Sequence, residues 1–209
     1  MNNHRIARLI SSLPSSHLDA VVLNPGPSLT YMTGLHFHTS ERPIVAIFTS
    51  DHDPIIVLPE LETAKLAAIT TPLQSFPYGE NPTTWPEVFR QALKTAGLDG
   101  KIIGVEPTRL RFLELNLLQG AAPKAQFNTA ETILSALRMQ KDAGEIQTMR
   151  EAVKVAQQAL LETIPMIKIG MTERELAAEL TMNLLRNGSE PEMPFSPIVS
   201  SGPNSANPH

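Results

Sequence analysis

Apolar and polar positions change period repeatedly along the first part of the chain. Ile6, Leu9, Ile10 and Leu13 recur at helical spacing from His4 until Pro14 stops the run. Leu18 to Leu23 is short, apolar and rich in valine, which predicts a strand, and Asn24-Pro25-Gly26-Pro27 breaks it. Ser28 is expected to cap a short helical turn through Tyr31 and Met32, ended by Gly34. Ile44 to Phe48 and Ile55 to Leu58 read as strands joined by the polar connection Ser50-Asp51-His52-Asp53-Pro54. Pro59 opens a predicted helix through Ile69, and Leu73 to Tyr78 is a further strand. Thr84 and Glu87 have the spacing of a capping box, ahead of a helix whose apolar side carries Val88, Phe89, Ala92, Leu93 and Ala96, with Gly97 closing it. Lys101 to Val105 is a strand, Arg109 to Gln119 a helix and Ala125 to Phe127 a last short strand. Alternation of this kind predicts an α/β domain with a mixed sheet flanked by helices.

From Thr129 onwards the period is helical. Ile146, Met149, Val153, Ala156, Leu160 and Ile164 recur at three- and four-residue steps, which predicts one buried stripe ending at Pro165. Thr172 and Glu175 form another capping box, and Leu176, Leu180 and Leu184 line the helix it starts, up to Gly188. A short apolar run from Phe195 ends in Ile198 and Val199, which are expected to sit in a buried strand, and a Ser/Gly/Pro/Asn turn segment leads from it to His209. The change of period near residues 129–137 divides the chain into domains 1–132 and 133–209.

Composition narrows the function classes. The 209 residues are 42% hydrophobic and 18% charged, the balance of a globular protein. A net charge of −4 favours neither nucleic acid nor an anionic membrane. Cysteine is absent, which excludes disulfides, thiolate metal sites and a cysteine nucleophile, and fits a cytoplasmic setting. No apolar run reaches the roughly 18 residues of a membrane span. The stretch Met1 to Leu13 has no signal-peptide core, so a cytoplasmic protein is expected. The lone glycines match neither a dinucleotide fingerprint nor a phosphate loop.

Four groups of residues, in order along the chain, carry a family resemblance. Tyr31-Met32-Thr33-Gly34 and Glu41-Arg42-Pro43 resemble the creatinase-type N-terminal domain of the Xaa-Pro aminopeptidase and prolidase family. Leu137 to Ile146 with Met149-Arg150-Glu151-Ala152, and then Gly170 to Leu176, resemble the opening of its catalytic domain. Ser201-Gly202-Pro203-Asn204-Ser205-Ala206-Asn207-Pro208-His209 resembles its active-site loop, with Asn207 where an apolar residue is more usual. The resemblance implies a creatinase-like N-terminal domain with a mixed sheet flanked by helices, followed by an incomplete pita-bread (α+β) catalytic domain. It implies a metallopeptidase acting at Xaa-Pro bonds as an Xaa-Pro aminopeptidase or Xaa-Pro dipeptidase. Two divalent ions (manganese, cobalt or zinc) would there activate a bridging water. The family's five metal ligands are expected further along than His209, so no metal ligand and no bound ion are expected in this chain, which alone should be inactive.

Site residues follow from the same resemblance. His209 matches a catalytic histidine that hydrogen-bonds substrate or intermediate without binding metal. Related prolidases form dimers in which a charged loop reaches towards the partner's active site. His38, Glu41 and Arg42 are the matching substrate-binding candidates, with Arg42 holding a carboxylate bidentately. His36 and His38 share a face at strand spacing, but no third ligand stands at metal-site spacing, and a solvated loop explains them better. The expected partners are a proline-containing peptide and a second copy of the chain. Two alternatives on the same scaffold remain: a creatinase-like amidinohydrolase, and a non-catalytic protein that associates or binds peptides.

Overall fold

The apolar runs of the first half become strands. A computed structural model describes residues 2–69, 72–193 and 195–206. In it β1 (Ala20–Leu23), β2 (Val45–Thr49), β3 (Ile55–Pro59), β4 (Gln74–Tyr78), β5 (Ile102–Val105) and β6 (Gln126–Thr129) form one mixed sheet in the order β4-β3-β2-β1-β5-β6. β1 pairs antiparallel with β2 and parallel with β5, so that Val22 stands opposite both Ile47 and Val105. β2 and β3 make the expected antiparallel hairpin, while β4 and β6 add in parallel at the two edges. Every residue of β1, β2 and β3 is buried, because helices cover both faces of the sheet, and this is why these strands read as continuous apolar runs.

Strand alternation sends neighbouring side chains to opposite cores. Val21, Leu23, Ala46, Phe48, Ile56 and Leu58 meet α1 (Asn2–Ser12), α2 (Pro27–Thr33) and α5 (Glu131–Met139), through Leu9, Met32 and Leu134 among others. Ala20, Val22, Ile47, Val57 and Ile103 meet α3 (Trp85–Thr95) and α4 (Phe112–Ala121), through Phe89, Leu93 and Leu118. Gly104 in β5 is required by close approach: a Cβ there would stand 2.7 Å from Leu18 Cδ1 and 3.0 Å from Ala130 Cβ.

Local chemistry departs from expectation at three points. Ser28 lies inside α2 rather than capping it, and its buried hydroxyl donates to Glu106 Oε1 at 2.7 Å. Thr84 makes no capping box, because its hydroxyl donates to Asn81 O at 2.8 Å within a preceding 3-10 turn. Asn81 caps that turn by accepting from Thr83 N at 3.1 Å. Glu60–Ala68 is a 3-10 run, not an α-helix, and none of its residues is buried. Leu66 is partly buried against the first core but Leu61 is exposed, too little apolar burial to draw the segment into a longer helix.

The chain folds as two compact units that divide between Gln140 and Lys141. The composition-based boundary at 132/133 would cut α5, yet Ile133, Leu134 and Leu137 are all buried in the first core. Each such side chain contributes about 1.5–3 kcal/mol by burial, enough to hold α5 in that unit.

The second unit contains α6 (Ala143–Thr163) and α7 (Glu173–Arg186), which pack on each other. Both begin in complete capping boxes: Asp142 with Glu145, and the expected Thr172 with Glu175. Their packing buries Ala159, Thr163 and Asn183, and Asn183 Nδ2 donates to Thr163 Oγ1 at 3.0 Å. The stripe predicted to be buried on α6 is open instead, with Ile146 40% and Met149 54% exposed and Val153, Leu160 and Ile164 between them. Among the described residues of this unit α7 packs on α6, and the residues of α6 that are buried are Ala159 and Thr163. Phe195 to Val199 forms no strand, and Phe195 and Ile198 are exposed. A ladder needs a partner, and among the described residues the second unit has no strand to offer one.

Candidate functional site

The loop that carries the substrate-binding candidates leaves α2 through Gly34, whose φ of 78° is left-handed and whose N–H donates to Thr30 O at 2.7 Å. Tyr31 and Thr33 brace this exit. Tyr31 Oη donates to Leu137 O at 3.3 Å, and Thr33 Oγ1 accepts from Leu35 N at 3.0 Å. The Tyr-Met-Thr-Gly signature is thus a structural device that ties α2 to α5 and turns the chain.

Three anchors then fix the loop before β2. Arg111 Nη1 donates to the carbonyl of Ser40. Tyr78 Oη donates to Pro43 O at 2.7 Å. Between them Arg42 Nη2 donates to Glu80 Oε2 at 2.7 Å, Nε lies 3.2 Å from each Glu80 oxygen, and Nη1 reaches Glu41 Oε1 at 2.5 Å. The structure therefore brings Arg42 and Glu41 together and adds Glu80 to them. His36 and His38 are exposed on either side of buried Phe37, and Lys65 Nζ donates to His36 O at 3.0 Å.

Charge is concentrated behind this loop. Glu114 is fully buried at the start of α4, and Arg111 Nε donates to its two oxygens at 3.1 and 3.0 Å. The same guanidinium also donates through Nη2 to Glu114. Hydrogen bonding to Glu114 raises the Arg111 pKa, and hydrogen bonding to Glu80 does the same for Arg42. In return Arg42 holds the Glu80 carboxyl below the usual carboxylate range. Burial is the main cause of the upward shift of the Tyr78 phenol, which stays a neutral donor to Pro43. Trp85 packs its ring 5.1 Å from that of Tyr78 and donates Nε1 to Gly79 O at 2.9 Å, a packing role.

Sequence reasoning missed Tyr78, Glu80, Arg111 and Glu114. The Arg-x-x-Glu spacing at a helix start was the one legible signal, since residues three apart meet on a helix. Glu80 meets Arg42 only through tertiary structure.

In the second unit, the Ser/Gly/Pro/Asn segment forms a 3-10 turn over Gly202–Ala206, with Gly202 at φ 59°. Glu173, at the start of α7, accepts from Ser201 N at 2.6 Å and from Asn204 Nδ2 at 2.9 Å. The catalytic candidate His209 lies outside the described residues. Among the described residues no group of three or more His, Asp or Glu side chains could hold a metal ion. No described helix is long and apolar enough to cross a membrane.

A helix-flanked mixed sheet, leading to two capped helices and a tethered Gly-Pro-Asn turn, defines an α/β protein of creatinase/prolidase type. Residues 5–140 match the Creatinase/Prolidase N-terminal domain, and residues 147–209 match Metallopeptidase family M24. The chain belongs to the creatinase/prolidase family. It is 25% identical to an Xaa-Pro dipeptidase of Pyrococcus horikoshii over 99% of this chain and 54% of the relative. It is also 25% identical to an Xaa-Pro dipeptidase of Lactobacillus helveticus, over 94% of this chain and 54% of that one. A crystal structure of recombinant prolidase from Thermococcus sibiricus superposes with a TM-score of 0.87 at 24% identity, covering 100% of this chain and 56% of the other, a likeness of fold. The chain thus spans just over half the length of these relatives.

Proposed function

We propose that this chain supplies the N-terminal domain and the opening of the pita-bread domain of a proline-directed metallopeptidase, an Xaa-Pro dipeptidase or aminopeptidase. The observation that carries this reading is the unbroken similarity to Xaa-Pro dipeptidases over 94% and 99% of the chain, through both domain matches in order. In this reading His209 hydrogen-bonds the substrate or the tetrahedral intermediate. The divalent ions used by the family find no ligand set among the described residues. The protein works in the cytoplasm as a homodimer.

Within the dimer, His38, Glu41 and Arg42 extend towards the partner's substrate. A loop tied down at Ser40, Arg42 and Pro43 is pre-organised for such a task, which lowers the cost of ordering it on binding. Arg42 takes the carboxylate of a proline-containing peptide by exchanging Glu80 for it on the Nε and Nη2 edge, while Nη1 stays with Glu41. The test is proline release by the protein at the length of its relatives, supplied with manganese, cobalt or zinc. Xaa-Pro substrates should be cleaved in preference to Xaa-Ala substrates, and equal cleavage of both would refute the assignment.

A further inference from the structure

Glu173 has a carboxylate that the helix does not need. The capping box of α7 is complete with Thr172 and Glu175, whose hydrogen bonds are reciprocal. Both oxygens of Glu173 turn instead to one short segment: Oε1 accepts from the backbone N–H of Ser201 and Oε2 from the side-chain amide of Asn204. The two donors flank Gly202, whose left-handed φ of 59° bends the chain between them. One anionic group therefore grips both ends of the turn through charge-assisted hydrogen bonds, and it does so from a rigid helix terminus. The two donors lie 28 and 31 residues further along, so the grip fixes tertiary geometry rather than a local turn.

We propose that Glu173 is a positioning residue. It fixes the Ser201–Asn204 turn, which stands a few residues before the candidate catalytic His209 in sequence. The catalytic half of this inference rests on the function proposed above, whereas the grip itself does not.

Two measurements separate them. In the 209-residue chain, hydrogen exchange followed by NMR should show the Ser201 amide exchanging about tenfold faster in Glu173→Ala, with the Asn204 side-chain amide resonances displaced. Glu173→Gln keeps one acceptor oxygen and should restore part of the protection. A melting temperature unchanged in both variants shows that α7 still folds. Unaltered exchange at Ser201 in a folded Glu173→Ala variant overturns the grip, whatever the activity. In the active protein at the length of its relatives, Glu173→Ala should lower kcat about tenfold with KM nearly unchanged, and Glu173→Gln should recover part of the loss. An unchanged kcat in an active protein overturns the positioning role. A wild-type protein that cleaves no Xaa-Pro peptide overturns the function and the catalytic half together, while the exchange result still decides the grip.

Discussion

Arg42 and Glu80, 38 residues apart, close on each other with Nη2 donating to Oε2 at 2.7 Å. The contact joins the loop after α2 to the chain just beyond β4 and occupies the guanidinium proposed to hold substrate. Substitutions at the two residues should then behave differently. Arg42→Ala should raise KM for an Xaa-Pro dipeptide about tenfold, with a smaller effect on kcat. Glu80→Gln weakens the competitor for the guanidinium and should leave KM equal or lower. Steady-state kinetics on the protein at the length of its relatives decides this, and an Arg42→Ala variant with wild-type kcat and KM would sink the assignment.

Acid should loosen the same contact. Arg42 lowers the Glu80 pKa, the Thr172 backbone and hydroxyl lower that of Glu175, and the Gln158 and Asn187 amides lower that of Glu162. Each folded value lies below its unfolded value, so the stabilisation is fully present above about pH 4.3 and is lost as pH falls through the depressed folded values. These groups are exposed, so each effect is modest and weakened by salt. Thermal melts should be flat from about pH 7 to 5 and fall below about pH 4, with a shallower fall for Glu175→Gln. A melting temperature that rose on acidification would contradict the sign.

The Arg111–Glu114 pair is a different case, because Glu114 is fully buried. Arg111→Met leaves a buried carboxylate without its partner and releases the Ser40 carbonyl. The cost should be about 3 kcal/mol, at the low end for breaking a buried pair because the guanidinium is partly exposed. Replacing both residues with Arg111→Met and Glu114→Leu should recover most of that loss. Urea denaturation measures both, and an Arg111→Met variant as stable as wild type would show that the pair contributes nothing.

The open face of α6 predicts association. Ile146, Met149, Val153, Leu160 and Leu161 are all at least 40% exposed, an apolar stripe of the kind that favours self-contact in water. Sedimentation velocity on the 209-residue chain should show species heavier than a monomer at micromolar concentration. Met149→Lys with Val153→Glu should shift it towards monomer. A monodisperse monomer for the unaltered chain would contradict the prediction.

Much of the fold was legible because the strands lie between two helical layers. A run such as Ile55-Ile56-Val57-Leu58 is apolar throughout only if both faces are covered. Thr172 and Glu175 were legible as a cap because nothing nearby competes with them, whereas Asn81 draws Thr84 into a 3-10 turn. Phe195 to Val199 has the composition of a strand, but composition does not supply the neighbour a ladder requires. For the site, Glu41 and Arg42 were singled out by the family resemblance of Glu41-Arg42-Pro43. Glu80, Tyr78 and the grip of Glu173 on Ser201 depend on pairings 28 to 38 residues apart in sequence, which no local pattern records.

The proposed assignment gives the 209 residues the scaffold and the histidine loop of a proline-directed peptidase, and among the described residues no metal-ligand set is found. Proline release from an Xaa-Pro dipeptide by this purified chain, with manganese present, tests that most directly. The account predicts release no faster than in buffer with the metal alone; turnover at enzymatic speed would contradict it.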